Sequence, residues 1–335
     1  MRFPALSLAT SFLFTIISPA AAAAAPVIST DHTVAAVDER VIHFYVDRPD
    51  VDGKVPLLVV IDGSGCLGQR RPSSWGDYAP TAGDPVPFAR LMIEKPGVAA
   101  DAADPQAQCS QAFHDYYTIQ NRVLDHLRVL QHLQAKAPWW DGRILLWGWS
   151  DGGDIGAQML VYRPDIERAV LGAMGGGLTM AEHFERFWAC PPEMADKRAE
   201  CLADLRADFA GILANPSGSL VWNGESHATW ASRLRSRLSS PLADNRVPLL
   251  IVHGERDHEN TPIESARALV GDLEASGNTT FEYWEIAGMG HGWDALPPLR
   301  QRALRDAMLE WLFAGAIEPG AKQFVVNGRD AAPTE

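Results

Sequence analysis

Residues 143–153 read RILLWGWSDGG, and this short stretch decides the architecture. The run at 143–149 is apolar almost throughout rather than alternating, which predicts a strand buried on both faces of a parallel sheet. It passes at once into Gly148-Trp149-Ser150-Asp151-Gly152, and residues 152–162 then read as a helix stopped by Pro164. A serine on so sharp a strand-to-helix turn is forced into a strained backbone conformation. Glycines two positions to either side, Gly148 and Gly152, remove the side chains that would clash there. The turn lifts the hydroxyl above the sheet, over a helix N-terminus that favours developing negative charge.

Working outward, the same kind of buried run recurs. On the N-terminal side lie a β-rich segment at 41–46 (VIHFYV), PLLVVID at 56–62 followed by Gly63-Ser64-Gly65, and RLMIE at 90–94. Ile119, Val123, Leu127, Leu130 and Leu133 then repeat at helical spacing up to Pro138. On the C-terminal side come ERAVLGAM at 167–174, VPLLIVH at 247–253, a helix over 262–275, TTFEYWEI at 279–286 and a last helix over 299–313. Strands alternating with helices predict an α/β fold with a parallel sheet covered on both faces. Residues 178–246 break the pattern. They are charged, helical in type and rich in tryptophan (Trp188, Trp222, Trp230), and read as an inserted helical cap. The expected division is a core of 26–177 and 247–317, a cap of 178–246 and a peripheral tail of 318–335.

A serine hydroxyl is a weak nucleophile at neutral pH and needs a base. Among ten histidines, His291 stands out, because Gly288-Met289-Gly290-His291-Gly292 follows the last strand directly. His32, His43, His114, His126, His132, His183 and His227 read as ordinary, satisfied histidines. A base of this kind needs a carboxylate to fix its tautomer. Asp257, in Gly254-Glu255-Arg256-Asp257, leaves the sheet at the same edge as Ser150. Glu255, Asp294 and Asp151 are its rivals, with Asp151 expected to face the cap, and His253 and His258 flank the acid. The N–H groups of Asp151 and Ser64 are the expected oxyanion donors, with Gly63 or Gly65 as near alternatives to Ser64.

The ends and the cysteines speak to compartment. Arg2, an apolar stretch over 6–17, Ser18-Pro19 and the alanines at 20–25 form a signal-peptide pattern over 1–25. The apolar core is shorter than the roughly 20 residues a membrane span needs. Export into the periplasm or medium, with no membrane anchor after cleavage, is therefore expected. In such a compartment Cys66, Cys109, Cys190 and Cys201 should form disulfides. The favoured pairing is Cys190–Cys201, which is local, and by elimination Cys66–Cys109. Their spacing does not suggest a metal site. A formal net charge of −13 disfavours nucleic acid and anionic membrane surfaces as partners.

Taken in order, PLLVVIDGSG, LLWGWSDGG, LLIVHGERD and GMGHGW resemble the α/β-hydrolase superfamily over about 41–313. HGERD and the cap position look like its esterase, dienelactone-hydrolase and prolyl-oligopeptidase-type branches. The resemblance implies a mostly parallel eight-stranded sheet, a Ser-His-Asp triad of Ser150, His291 and Asp257, and no cofactor. Asp62 departs from the pattern, since many members carry a histidine there. So do the bulky Trp149 and Glu94-Lys95-Pro96-Gly97. The expected activity is cleavage of a small acyl ester through an acyl-enzyme. A peptidase or amidase acting on short peptides is the alternative, and a non-catalytic binding protein a lesser one. A free amino group on a peptide would want an acidic pair, for which Glu182 and Glu185 are candidates.

Overall fold

The computed structural model describes residues 26–71, 87–104 and 107–315. The signal-peptide pattern and the tail at 318–335 lie outside them.

Eight strands form one sheet. They are β1 (Val27–Ala35), β2 (Val41–Pro49), β3 (Val55–Ile61), β4 (Ala89–Ile93), β5 (Trp140–Trp149), β6 (Ile166–Gly172), and, after two short strands, β9 (Leu249–Gly254) and β10 (Phe281–Ile286). The spatial order is β1-β2-β4-β3-β5-β6-β9-β10. The two pairings of β2 are antiparallel, and all other pairings are parallel. This is the mostly parallel eight-stranded sheet that the family resemblance implies. Every residue of β3 and β9 is buried, as their unbroken apolar runs predict. At about 1.5–3 kcal/mol for each fully buried large apolar side chain, such strands anchor the fold.

Strand β1 was not evident from the sequence. VISTDHTVA is mostly exposed, and it sits at the sheet edge with only β2 as a neighbour. An edge strand of this kind has no apolar run to betray it.

The helices α2 (Ile119–Lys136), α3 (Asp151–Tyr162), α8 (Ile263–Ala275) and α9 (Pro298–Ala314) cover the two faces, with α1 (Gln111–Tyr116) preceding α2. Two apolar clusters result, one on each side of the sheet. Leu57, Leu146, Leu130 and Leu160 belong to the first, and Leu58, Trp147, Met308 and Trp311 to the second. α2 starts where Thr118 caps the Asn121 N–H and ends just before Pro138.

Between β6 and β9 the chain leaves the sheet. It forms α4 (Met180–His183), a π-helical turn at Phe184–Trp188, a 3-10 turn at Pro192–Lys197, α5 (Arg198–Ala214), the hairpin of β7 (Val221–Trp222) and β8 (Glu225–Ser226), α6 (His227–Arg233) and α7 (Ser239–Ala243). Phe184, Leu205, Phe209, Ile212 and Leu234 make a separate small core here. The rings of Trp188, Trp222 and Trp230 each meet Phe184 edge-on, at centroid distances of 5.0, 5.0 and 5.3 Å. Disulfides join Cys190 to Cys201 within this segment and Cys66 to Cys109 beside β3. No helix among the described residues is long and apolar enough to cross a membrane.

Candidate functional site

Parallel register decides where the chemistry gathers. Ile61 pairs with Gly148, Gly172 with Trp149 and Val252, and Ile286 with Gly254. The loops after β3, β5, β9 and β10 therefore leave the same edge of the sheet, as is general for open α/β sheets.

Ser150 occupies the turn between β5 and α3 with φ 57° and ψ −127°. A positive φ is costly for a residue with a Cβ, and such strain concentrates at functional sites. The surroundings hold it there. Its N–H donates to the Gly172 carbonyl at 2.8 Å, and its carbonyl accepts from the Gly153 N–H at 2.8 Å. A Cβ on Gly148 would collide with the Gly152 backbone, and one on Gly152 with the carbonyls of Ile61 and Asp62. The Ser150 hydroxyl does not cap its own helix. It lies 2.9 Å from His291 Nε2 instead.

His291 Nδ1 is 2.7 Å from Asp257 Oδ2. The carboxylate is 2% exposed, and its other oxygen accepts from the Thr261 N–H at 3.0 Å. Burial works against the Asp257 carboxylate, but the His291 hydrogen bond and charge, with the Thr261 N–H, outweigh it and hold its pKa below the ordinary value. His253 is fully buried. Its Nε2 lies 2.9 Å from the Thr261 carbonyl and 3.6 Å from Asp257, so it braces the acid loop. Glu255 points elsewhere and accepts from the Gly288 N–H at 3.0 Å, which ties the acid loop to the histidine loop. The sequence thus brings Ser150, His291 and Asp257 into one hydrogen-bonded line.

Trp149 also has a place in this geometry. Its indole N–H donates to the His291 carbonyl at 2.9 Å, and its ring packs on Trp293 at 5.0 Å. A Cβ on Gly172 would run into that ring. Sequence reasoning marked Trp149 only as bulky. The signal in the sequence is a large ring directly beside Ser150.

The N–H of Asp151 stands at the first position of α3, where it has no acceptor within the helix. Ser64 lines the same cavity as Ser150, and a Cβ on Gly63 would come 3.3 Å from that of Ser150. The loop after β3 therefore lies close over the serine. Asp62, at the departure from the usual pattern, accepts from Lys95 Nζ at 2.7 Å. That lysine is 2% exposed, so an ion pair anchors the loop.

The Asp151 side chain faces the insertion. Arg233, the last residue of α6, donates to its two oxygens at 2.8 and 3.0 Å, and Tyr117 donates its hydroxyl at 2.5 Å. Burial raises the pKa of Asp151, but the Arg233 charge and hydrogen bonds dominate and leave it lowered.

A cavity of about 220 Å³ opens from Ser150 and His291 into this wall. Its apolar lining includes Met174, Leu178, Trp188, Trp230 and Leu238, and its polar lining Asp154, His183 and Glu225. His183 is not the satisfied histidine expected from sequence: it is 4% exposed and neither ring nitrogen has a hydrogen-bond partner. Glu182 and Glu185 are not a free acidic pair. Glu182 is bound to Arg237 and Arg186, Glu185 to Arg206, and neither lines the cavity. Among the described residues no group of three or more His, Cys, Asp or Glu could hold a metal ion.

No family model matches the chain. Esterase LipC of Mycobacterium tuberculosis is 35% identical over 80 residues, which is 24% of this chain and 19% of that protein. The chain thus spans about a fifth of that relative's length. Est1E from Butyrivibrio proteoclasticus superposes with a TM-score of 0.55 at 17% identity, covering 84% of this chain and 98% of the other. The Pyrococcus horikoshii acylaminoacyl peptidase superposes with a TM-score of 0.57 at 13% identity, covering 91% of this chain but 43% of the other. With its eight-stranded, mostly parallel sheet between two helical layers, the chain has the α/β-hydrolase fold, the fold of these esterases and peptidases.

Proposed function

We propose that this chain is an exported serine hydrolase that cleaves small acyl esters through an acyl-enzyme on Ser150. The observation that carries this reading is the line Ser150 Oγ, His291 Nε2, His291 Nδ1, Asp257 Oδ2, with separations of 2.9 and 2.7 Å at its two hydrogen bonds. A hydroxyl in such a line can be deprotonated as it attacks.

In the proposed mechanism Ser150 Oγ attacks the acyl carbonyl carbon while His291 Nε2 takes its proton. Asp257 keeps the Nδ1 proton on the other side of the ring and stabilises the imidazolium. The carbonyl oxygen becomes an oxyanion held by the N–H groups of Asp151 and Ser64, and by the N-terminal end of α3. The intermediate collapses, the alcohol leaves with the proton from His291, and an ester to Ser150 remains. Water, deprotonated by His291, repeats the sequence and frees the acid. Residues 178–246 act as a cap that shapes the acyl pocket with Trp188 and Trp230. Cleavage of a leader after residue 25 and two disulfides fit this enzyme to an oxidising compartment. The same groups would open an amide, and that alternative remains within the proposal's reach through the peptidases that share the fold.

A fluorophosphonate probe tests the mechanism. It should label the wild type and fail to label Ser150→Ala, and equal labelling of both would end the proposal. Asp257→Asn should lower kcat by about 10³–10⁴-fold, because the amide cannot hold the required histidine tautomer. A panel of p-nitrophenyl esters and aminoacyl anilides then ranks ester against amide, with the esters expected to be favoured.

A further inference from the structure

A buried ion pair stands behind the loop that follows β3. β3 and β4 pair in parallel up to Val60 and Met92, so they end side by side, with Asp62 just past one and Lys95 just past the other. Lys95 Nζ donates to Asp62 Oδ2 at 2.7 Å, and the lysine side chain is 1% exposed. Arg71 Nη1 stands farther from the same oxygen, at 3.8 Å, and is bound to the Gly68 carbonyl. Asp62 Oδ1 is shut away from solvent with no hydrogen-bond partner among the described residues, so Lys95 supplies the close contact to this carboxylate. Lysine is almost never buried unless it is paired, and such a pair calls for a physical reason.

The two ends of the loop are held differently. At the far end the Gly68 and Arg70 N–H groups donate to the carbonyls of Ala102 and Ala100 at 2.8 and 2.7 Å. The Gln69 N–H donates to Glu94 Oε2 at 3.0 Å, and Cys66 is joined to Cys109. At the near end Ser64 lies between Gly63 and Gly65, which leave the backbone free to move, and Gly65 has a φ of 80°. Asp62 fixes this end from its first residue. It is also the end that meets the chemistry. A Cβ on Gly152 would stand 2.6 Å from the Asp62 carbonyl, one on Gly63 would stand 3.3 Å from Ser150 Cβ, and Ser64 lines the cavity. Neither Asp62 nor Lys95 lines it, yet the lysine charge acts on Asp151 and Glu225 in its wall. A carboxylate two positions from the proposed Ser64 donor would oppose an oxyanion, and Lys95 offsets it.

We propose that Lys95 is a positioning residue for acyl transfer. Acting through Asp62, it fixes the loop so that the Ser64 N–H meets the oxyanion, and it cancels the carboxylate charge nearby. Oxyanion donors act within about 2.7–3.1 Å of the developing charge, and a misplacement of about 1 Å can cost about 10²-fold in rate. This inference rests on the Ser150 reading above and on Ser64 as a donor.

The test combines kinetics with a transition-state probe. For p-nitrophenyl butyrate, Lys95→Met should lower kcat by about tenfold or more while KM moves by less than about threefold. Trifluoromethyl butyl ketone reports on the oxyanion directly. Ser150 Oγ bonds to its carbonyl carbon, the hydroxyl proton passes to His291, and the carbonyl electron pair becomes an oxyanion between the proposed donors. The matching secondary alcohol fills the same space and forms no adduct. In Lys95→Met the ketone should bind about tenfold or more weaker, and the alcohol should change by less than about threefold. Should that variant fail to fold, Asp62→Asn is read by the same ratio. The double variant Lys95→Met/Asp62→Asn leaves no charge buried alone, so its urea midpoint should return towards the wild type while kcat stays low. A kcat loss below about tenfold, equal weakening of ketone and alcohol, or recovery of kcat along with the midpoint overturns the proposal. Failure of the underlying reading looks different: Ser150→Ala would keep its fluorophosphonate labelling or its ester hydrolysis.

Discussion

Replacing Arg233 by methionine should cost about 3–5 kcal/mol of stability, the range for breaking a buried ion pair by removing one partner. Arg233 is 5% exposed and Asp151 8%. The arginine makes hydrogen bonds of 2.8 and 3.0 Å to the carboxylate, and a third of 3.1 Å to the Thr229 carbonyl. Its guanidinium also lies 5.0 Å from the centre of the Tyr117 ring. In Arg233→Met, Asp151 keeps the Tyr117 hydroxyl, the more distant charge of Lys95 and the N-terminal end of α3, the last worth at most about 2 kcal/mol in partly buried geometry. The loss should therefore sit near the lower end, about 3 kcal/mol. Urea unfolding with the disulfides intact measures it. The double variant Arg233→Met/Asp151→Asn should regain about 2 kcal/mol, because no charge is then left buried alone. The pH response carries the sign. Asp151 has a lowered pKa in the wild type, so its contribution is present at neutral pH and lost as the solution is acidified through that pKa. The deficit of Arg233→Met should accordingly shrink towards acid. Additive single substitutions, or a deficit that does not change with pH, would refute the reasoning.

Three further outcomes are expected. Asp154 is raised to about 7 by burial and by Asp151, so the folded chain keeps a proton that the unfolded chain releases between about pH 4 and 7. Stability falls as pH rises through that window, and Asp154→Asn should gain on the wild type there by on the order of 2–4 kcal/mol in urea titrations, the gap closing again below pH 4. Trp149→Phe keeps the ring against Trp293 but removes the 2.9 Å hydrogen bond to the His291 carbonyl, so steady-state kinetics should show kcat lowered by about 3–10-fold with KM little changed. Loss of the Cys66–Cys109 bridge, which closes a separation of 43 residues, should cost up to about 4 kcal/mol by loop entropy, against about 3 kcal/mol for Cys190–Cys201. Because Cys66 is two residues from Ser64, Cys66→Ser/Cys109→Ser should also depress ester turnover more than the other pair does.

What the sequence reveals and what it hides follow one physical division. Buried strands announce themselves, because β3 and β9 must be apolar on both faces, and the turn residues Gly148 and Gly152 do so because a Cβ at either has no space. Ser150, Asp257 and His291 were readable since each follows a recognisable strand, and parallel pairing sends all such loops to one edge. Contacts set by tertiary packing left no such trace. Strand β1 is exposed and polar. His183 looks like any helical histidine until its neighbours are known, and Glu182 looks free until Arg237 and Arg186 arrive from elsewhere on the chain.

The insertion and the sheet share one cavity wall. Residue 154 belongs to the helix beneath the serine and residue 225 to the hairpin of the insertion, so neither part alone forms the cavity wall. The same two parts are joined by Arg233 and Asp151, and Asp151 carries the N–H next to Ser150. A helical segment that merely covered the site could be loosened at small cost to the turn below. Here it provides the counter-charge for a carboxylate at the first position of α3, so loosening it leaves that charge buried and unpaired. Opening by a rigid swing of α6 would thus cost several kcal/mol. Trp188 and Trp230 line the cavity from the insertion's side, with the Trp230 indole N–H held by the Trp222 carbonyl at 2.7 Å, so the shape of this wall is set without disturbing the ion pair. Trp230→Ala should then change kcat/KM for bulky acyl groups while leaving the coupling between Arg233 and Asp151 intact, and a loss of that coupling would place the hinge in α6 after all.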